Sequence, residues 1–232
     1  MLLKRMAAKL PHRWQAELKR LHFGRQIARN TFDTSEAEYQ LLPQFVNQGD
    51  WVIDVGANVG QYTKRLSDLV GSQGRVIAFE PVPATFALLA ANTERFAYGN
   101  VTLINAAVSA RLDVLGMDIP RFETGLVNYY EARLVANPVS GVKVLTIPVD
   151  SLLIDHPVSL VKIDAEGHEA HVLAGMHRLI ERFKPTLIVE TGSAELIASI
   201  ERFGYQVQRS PGSSNVVCRP ALPDLKSPKV SQ

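Results

Sequence analysis

From residue 51 onward, apolar runs of strand length alternate with stretches whose apolar positions recur at helical spacing. That alternation predicts βαβ units around a parallel sheet buried on both faces. The strands fall at 51–55 (WVIDV), 75–80 (RVIAFE), 101–105 (VTLIN), 158–163 (VSLVKI) and 185–190 (PTLIVE). Helices fit at about 60–70, 83–97, 168–182 and 193–203, and in the second of these Phe86, Leu89, Ala90 and Thr93 share a face. GYQVQR (204–209) and NVVCR (215–219) flank Pro211, Gly212, Ser213 and Ser214, which reads as an antiparallel hairpin. The interval 110–149 breaks the alternation. Its two apolar segments, near 112–119 and 142–149, flank a loop with Gly125, Asn128, Tyr129 and Tyr130, and long loops in compact domains are usually functional or disordered. Residues 220–232 hold three prolines and little apolar content, as a disordered tail would.

At 232 residues and 46% hydrophobic content, the chain can build one core, expected over 36–219, with a helical extension over 1–35. No stretch reaches the ~20 consecutive apolar residues of a membrane span, and MLLKRMAAKL lacks the apolar centre of a secretory signal. A soluble, cytoplasmic protein is expected. Cys218 is the single cysteine, which excludes an intrachain disulfide and a multi-cysteine metal site.

Charge changes the picture at the N-terminus. Residues 1–29 carry eight Lys or Arg against Glu17 alone, so +7 of charge sits there and −5 on the rest, for the net +2. Trp14, Leu18 and Leu21 fall at i, i+4 and i+7 of a helix starting near Pro11, with basic residues around the remaining circumference. The helix could pack this stripe on the domain or dock it on an acidic membrane surface or nucleic acid. Packing is the favoured expectation, because a short basic arm without interleaved aromatics is weak evidence for nucleic acid.

In an open α/β sheet the ligand lies beyond the carboxyl ends of the strands, so the turn after the first strand is where chemistry is sought. Here it reads D-V-G-A-N-V-G, residues 54–60. Gly56 and Gly60 suit a sharp turn and a close approach. Asn58 stands where the dinucleotide fingerprint G-x-G-x-x-G places its second glycine, the one that admits a pyrophosphate. Glu80 ends the second strand, immediately before Pro81, where an acid can accept hydrogen bonds from both ribose hydroxyls of a nucleoside.

DVGANVGQYT (54–63), AFEPVP (78–83), KIDAEGHE (162–169) and IVE (188–190) together resemble the FkbM family of S-adenosylmethionine (SAM) dependent methyltransferases, over roughly residues 36–219. The resemblance implies a Rossmann-like class I methyltransferase: an α/β fold with a mostly parallel seven-stranded sheet, a C-terminal antiparallel hairpin and helices on both faces. It implies that Asp54, Gly56, Ala57, Asn58 and Gly60 surround the methionine part of SAM. Glu80 and Pro81 would then meet the ribose, Asn105 and Ala106 the adenine edge, and Asp164 the region of the methyl group. Related sequences often carry an acid shortly after the Ala-Val pair, where this chain has Ser109 and Ala110.

Methyl transfer from a sulfonium needs an aligned acceptor, exclusion of water and, for a hydroxyl, removal of a proton. The expected acceptor is a small molecule or glycan, such as a sugar or secondary metabolite. Asp164, His168 and Glu190 are the candidate catalytic residues, with Asp164 the first choice as base. Glu166 and Glu169 are read as favourable charges at the start of the next helix. Asp164, Glu190 and His168 could alternatively hold a divalent ion, although no coordination set is fixed by their spacing. Two competing functions are a nicotinamide-dependent reductase and a SAM-binding module without turnover. The reductase lacks its glycine fingerprint, and none of the six tyrosines is followed four residues later by a lysine.

Overall fold

The computed structural model describes residues 11–221 except 121, 123–126, 129, 130, 137–140, 210 and 211. Gly125, Tyr129, Tyr130, Pro211 and nearly all of the 220–232 tail lie outside the described residues.

The chain enters through α1 (His12–Ala28) and α2 (Ala37–Leu41), then builds β1 (Trp51–Val55), α3 (Gln61–Val70), β2 (Arg75–Phe79), α4 (Pro83–Thr93) and β3 (Val101–Ile104). After an inserted region come β8 (Val158–Ile163), α5 (Glu169–Ala174), α6 (His177–Phe183), β9 (Thr186–Glu190), α7 (Ala194–Arg202), β10 (Tyr205–Arg209) and β11 (Asn215–Pro220). Seven strands form one sheet in the order β10-β11-β9-β8-β1-β2-β3. Its β9-β8-β1-β2-β3 portion is parallel, and β11 runs antiparallel to both β9 and β10. Strand order reverses between β1 and β8, the place where such sheets bind ligands.

Alternate residues of the central strands feed two cores. Ile53, Val55, Ile77, Phe79, Val161 and Ile163 pack toward Val172, Leu173, Met176 and Ile180 of α5 and α6. Val52, Val76, Leu160 and Ile188 pack toward Tyr39, Leu42, Tyr62, Leu66 and Val70. Burial on both faces is why these strands read as continuous apolar runs.

Three expectations change in detail. The helix expected over 168–182 is two helices that meet at Gly175, where any Cβ would fall 2.1 Å from the Ser109 carbonyl oxygen. The interval 110–149 is a second sheet, not only two strands and a loop: β4 (Ala107–Val108), β5 (Asp113–Asp118), β6 (Arg133–Val135) and β7 (Val142–Ile147) in the order β4-β7-β5-β6. It packs Ala107, Met117 and Val144 on Val82. Finally, α1 does not dock the expected stripe. Phe23 and Ile27 hold it, in a cluster with Phe32, Val59, Leu88 and Phe96, while Trp14, Leu18 and Leu21 are 55%, 47% and 56% exposed. The helix therefore has apolar residues on two sides, and Gly24 lets the packed side come close to Arg95. Among the described residues no helix is long and apolar enough to cross a membrane.

Candidate active site

The carboxyl ends of β1, β2 and β8 are tied together by main-chain bonds. The N–H groups of Gly56 and Ala57 donate to the Phe79 carbonyl at 3.0 and 2.9 Å, and the Asp164 N–H donates to the Val55 carbonyl at 3.1 Å. Gly56 has φ +76°, and a Cβ there would lie 1.9 Å from the Asp164 carbonyl oxygen, so only glycine fits. Asn58 is also left-handed, at φ +50°. Its N–H donates to Glu80 Oε2 at 2.9 Å, and the Val82 N–H donates to Glu80 Oε1 at 2.9 Å. Asn105 Nδ2 donates to the carbonyls of Glu80 and Pro81, fixing the Glu-Pro turn from the end of β3.

These ends border a solvent-open cleft that Met117 and Leu134 of the second sheet also line. Of the residues expected to bind a cofactor, Gly56, Asn58, Glu80, Pro81, Ala106 and Asp164 line it, as does His168. Asp54, Ala57, Gly60 and Asn105 do not; they shape the turn from behind. Asp54 is fully buried, accepts from Thr63 Oγ1 at 2.6 Å, and leaves Oδ1 without a hydrogen-bond partner among the described residues. Gly60 precedes α3 at φ +99°, where a Cβ would meet Leu89 at 2.7 Å. Met117 and Leu134 of the second sheet add apolar walls. No alternation signal in the sequence tied that sheet to the cleft.

A second, polar cleft adjoins the first. Glu190, Thr191, Ser193, Arg209 and Ser214 line it, and Glu166 lines both. Glu190 thus lies beside the nucleoside-type cleft and not in it. Glu166 was expected in the first turn of a helix, but it precedes α5 in a turn, with φ +49° and Gly167 at φ +93° behind it. The Glu-Gly pair after a buried strand is the sequence signal that could have marked it.

Electrostatics separate the acids. Lys162 Nζ donates to Asp164 at 2.8 Å. Burial alone would lower the lysine, but the carboxylates of Asp164 and Asp54 outweigh it and raise its pKa. Burial would likewise raise Asp164, yet the Lys162 charge and hydrogen bond hold it below the usual carboxylate range. Glu190 shares a hydrogen bond with Asp164 and is pushed up by burial and by that neighbour. Burial, helped by Asp164 and Glu190 and opposed by Arg133, lifts Glu166 to about 7. Burial also lifts Glu80 to about 7 against its two backbone donors. His168 is lowered to about 4 by burial and by His171, on which it stacks at 4.3 Å, and its Nε2 lies 2.9 Å from Ser109 Oγ.

Carboxylate oxygens of Asp164, Glu166 and Glu190 come within 4.8 Å of one another, and His168 is not part of that group. With one acid paired to Lys162 and another hydrogen-bonded to it, the cluster is chemically a set of acids and bases with separated proton affinities.

Residues 54–207 match the family model described as the methyltransferase FkbM domain. Among curated proteins, the hexuronic acid methyltransferase AglP of Haloferax volcanii is 28% identical over 151 residues, 61% of this chain and 56% of its own length. The ribosomal RNA large subunit methyltransferase E of Methanothermobacter thermautotrophicus is 37% identical over 73 residues, 29% of this chain and 34% of its own length. The chain thus spans about half or less of the curated relatives it matches. Among solved structures, a methyltransferase FkbM from Methylobacillus flagellatus has a TM-score of 0.51 at 19% identity, covering 73% of this chain and 43% of that one. This likeness is one of fold.

Proposed function

The chain belongs to the FkbM methyltransferase family, with SAM as cofactor, and from that premise we propose that it methylates a hydroxyl oxygen of a sugar or secondary metabolite, with Glu166 taking the proton. The cleft suits SAM by its charge. Its described lining contains Glu80, Asp164 and Glu166 and neither Lys nor Arg. A pyrophosphate would meet three carboxylates there, whereas a sulfonium cation is compatible with them. Glu80 would hold the ribose hydroxyls, Gly56 and Asn58 the amino-acid part, and Ala106 with Val108 the base. Bound there, SAM supplies a methyl group already activated on a sulfonium sulfur.

The single observation that carries the mechanism is the position of Glu166, the residue common to both clefts, with its carboxyl lifted to about 7. A general base works best when its pKa lies near the operating pH. Asp164, the first choice from sequence, is engaged by Lys162 and is the weaker base. Its part is to hold the lysine and, through repulsion, to keep Glu166 basic. His168 is neutral at physiological pH but weakly basic and engaged with Ser109, so it positions the start of α5. The polar lining of the second cleft, with hydroxyls from Ser193 and Ser214 and the cation of Arg209, matches a polyhydroxyl acceptor. The substrate class in AglP's name supports the same reading.

The test is methyl transfer from labelled SAM to a panel of glycans and hydroxylated metabolites, with wild type and Glu166→Gln compared from pH 5.5 to 9. Wild-type turnover should rise with pH through about 7, as the carboxylate forms. Glu166→Gln should still bind SAM, weakened by no more than about tenfold through the lost charge, and lose about 10² to 10⁴ of turnover, with the pH step removed. Undiminished turnover by that variant on a validated acceptor removes Glu166 from the role.

A further inference from the structure

The N-terminal half of α1 presents an apolar stripe that none of the hydrophobic clusters among the described residues includes. With 3.6 residues per turn, Phe23 and Ile27 occupy the side of α1 that packs on α4 and the segment after it. Trp14, Leu18 and Leu21 recur at i, i+4 and i+7 on a different side, each about half exposed. Scattered exposed apolar residues are ordinary, but three in register on one helix side form a continuous strip.

The charge around that strip is mostly of one sign: Glu17, the one acid of α1, is paired with Arg20 at 3.3 Å. Arg25 continues the stripe at the next turn and is exposed, as are Arg13 and Arg29. Arg13 lies over the Trp14 ring at 5.9 Å. The ten preceding residues, MLLKRMAAKL, add three cations and no acid. The remainder of the chain is net negative, so the cationic character belongs to this helix and not to the protein as a whole.

We propose that α1 docks on an anionic lipid surface, with Trp14, Leu18 and Leu21 entering the headgroup boundary and the exposed Arg13, Arg25 and Arg29 meeting lipid phosphates. An indole and two leucyl side chains beside exposed arginines are side chains that an interfacial helix presents, and the apolar residues on the other side of α1, Phe23 and Ile27, are taken up by the fold. A polyanion such as nucleic acid would use the cations but has no partner for the leucines. Anchoring through α1 would bring the methyl-transfer clefts to membrane-attached acceptors without involving their residues in the contact.

The test uses the full chain with vesicles of phosphatidylcholine alone or with about one third phosphatidylglycerol. Co-sedimentation is expected with the anionic vesicles, and it should weaken more than about tenfold when salt is raised from about 0.1 to 0.5 M. The triple variant Trp14→Ser/Leu18→Ser/Leu21→Ser should lose binding to the anionic vesicles more than about tenfold while keeping SAM affinity and melting temperature, since these side chains are exposed. Arg13→Glu/Arg25→Glu should lose it as well. Absent binding to anionic vesicles, equal binding by the triple variant, or binding to RNA but not to vesicles each overturns the proposal. Because SAM affinity is measured separately, failure of lipid binding leaves the methyltransferase reading standing.

Discussion

Both oxygens of Glu80 accept a backbone N–H, yet an ionised carboxylate offers about four acceptor sites, so it can still receive two ribose hydroxyls. Burial raises its pKa from 4.5 to about 7, so without bound nucleoside the fold favours the neutral acid. This residue's contribution to stability is therefore greatest below pH 4.5 and declines as pH rises to about 7. Hydroxyl donors favour the carboxylate, so binding must follow the opposite trend. SAM affinity should rise by up to about tenfold per unit between pH 5 and 7 and level off above, which calorimetry in buffers of different ionisation enthalpy would check. Glu80→Ala should weaken binding by about tens to hundreds of fold, and an unchanged affinity would place the ribose elsewhere. The position of Glu80 at the cleft was legible because it follows a strand and precedes Pro81. Glu166 was not, since its left-handed turn and its shared position between two clefts depend on where β9 and β11 end, far away in sequence.

At the scale of elements, the parallel strands could be read because both their faces are buried and each is a short apolar run. The second sheet could not be read in full. Ala107–Val108 and Arg133–Val135 are too short for any periodicity, and their pairing to β7 and β5 is set by tertiary contact. In α1 the sequence shows two apolar sets, and only the position of α4 decides which one packs. That division predicts two different truncations. Removing residues 1–21 discards the exposed stripe and should leave the melting temperature nearly unchanged. Removing residues 1–29 also takes Phe23 and Ile27 and uncovers Val59, Leu88 and Phe96. At ~1.5 to 3 kcal/mol per buried side chain, the loss is about 3 to 6 kcal/mol, or roughly 6 to 24 °C in Tm for a chain of this size. SAM binding should survive in both, because the glycine turn is held by its bonds to Phe79 and Glu80 and not by α1. A folded 1–29 truncate that has lost SAM would show that the helix helps build the cleft through Val59.

In the proposed reading, the whole molecule selects its cofactor by where it leaves charge out. The chain has twenty-five Lys and Arg, yet the described lining of this cleft holds none, and Lys162, next to Asp164, is buried and spent on that carboxylate. A dinucleotide-binding site relies on a glycine and a helix N-terminus to approach a pyrophosphate. Here that approach is closed twice. Asn58 occupies the glycine's place in a left-handed turn, and its N–H is given to Glu80 instead of facing an anion. Bringing two phosphate charges beside Glu80, Asp164 and Glu166 costs energy for every carboxylate that is ionised, whereas the sulfonium and ammonium groups of SAM lower that energy. SAM should therefore bind with a dissociation constant of roughly micromolar order, about −8 kcal/mol, and NADH should give no measurable heat at about a hundredfold higher concentration. Raising pH from 6 to 8 ionises Glu80 and Glu166 and should widen the gap in both directions, strengthening SAM and further disfavouring NADH. NADH binding of comparable strength, or a gap that narrows with pH, would mean that the carboxylates do not face the ligand, and the charge argument for the cofactor would fall with them.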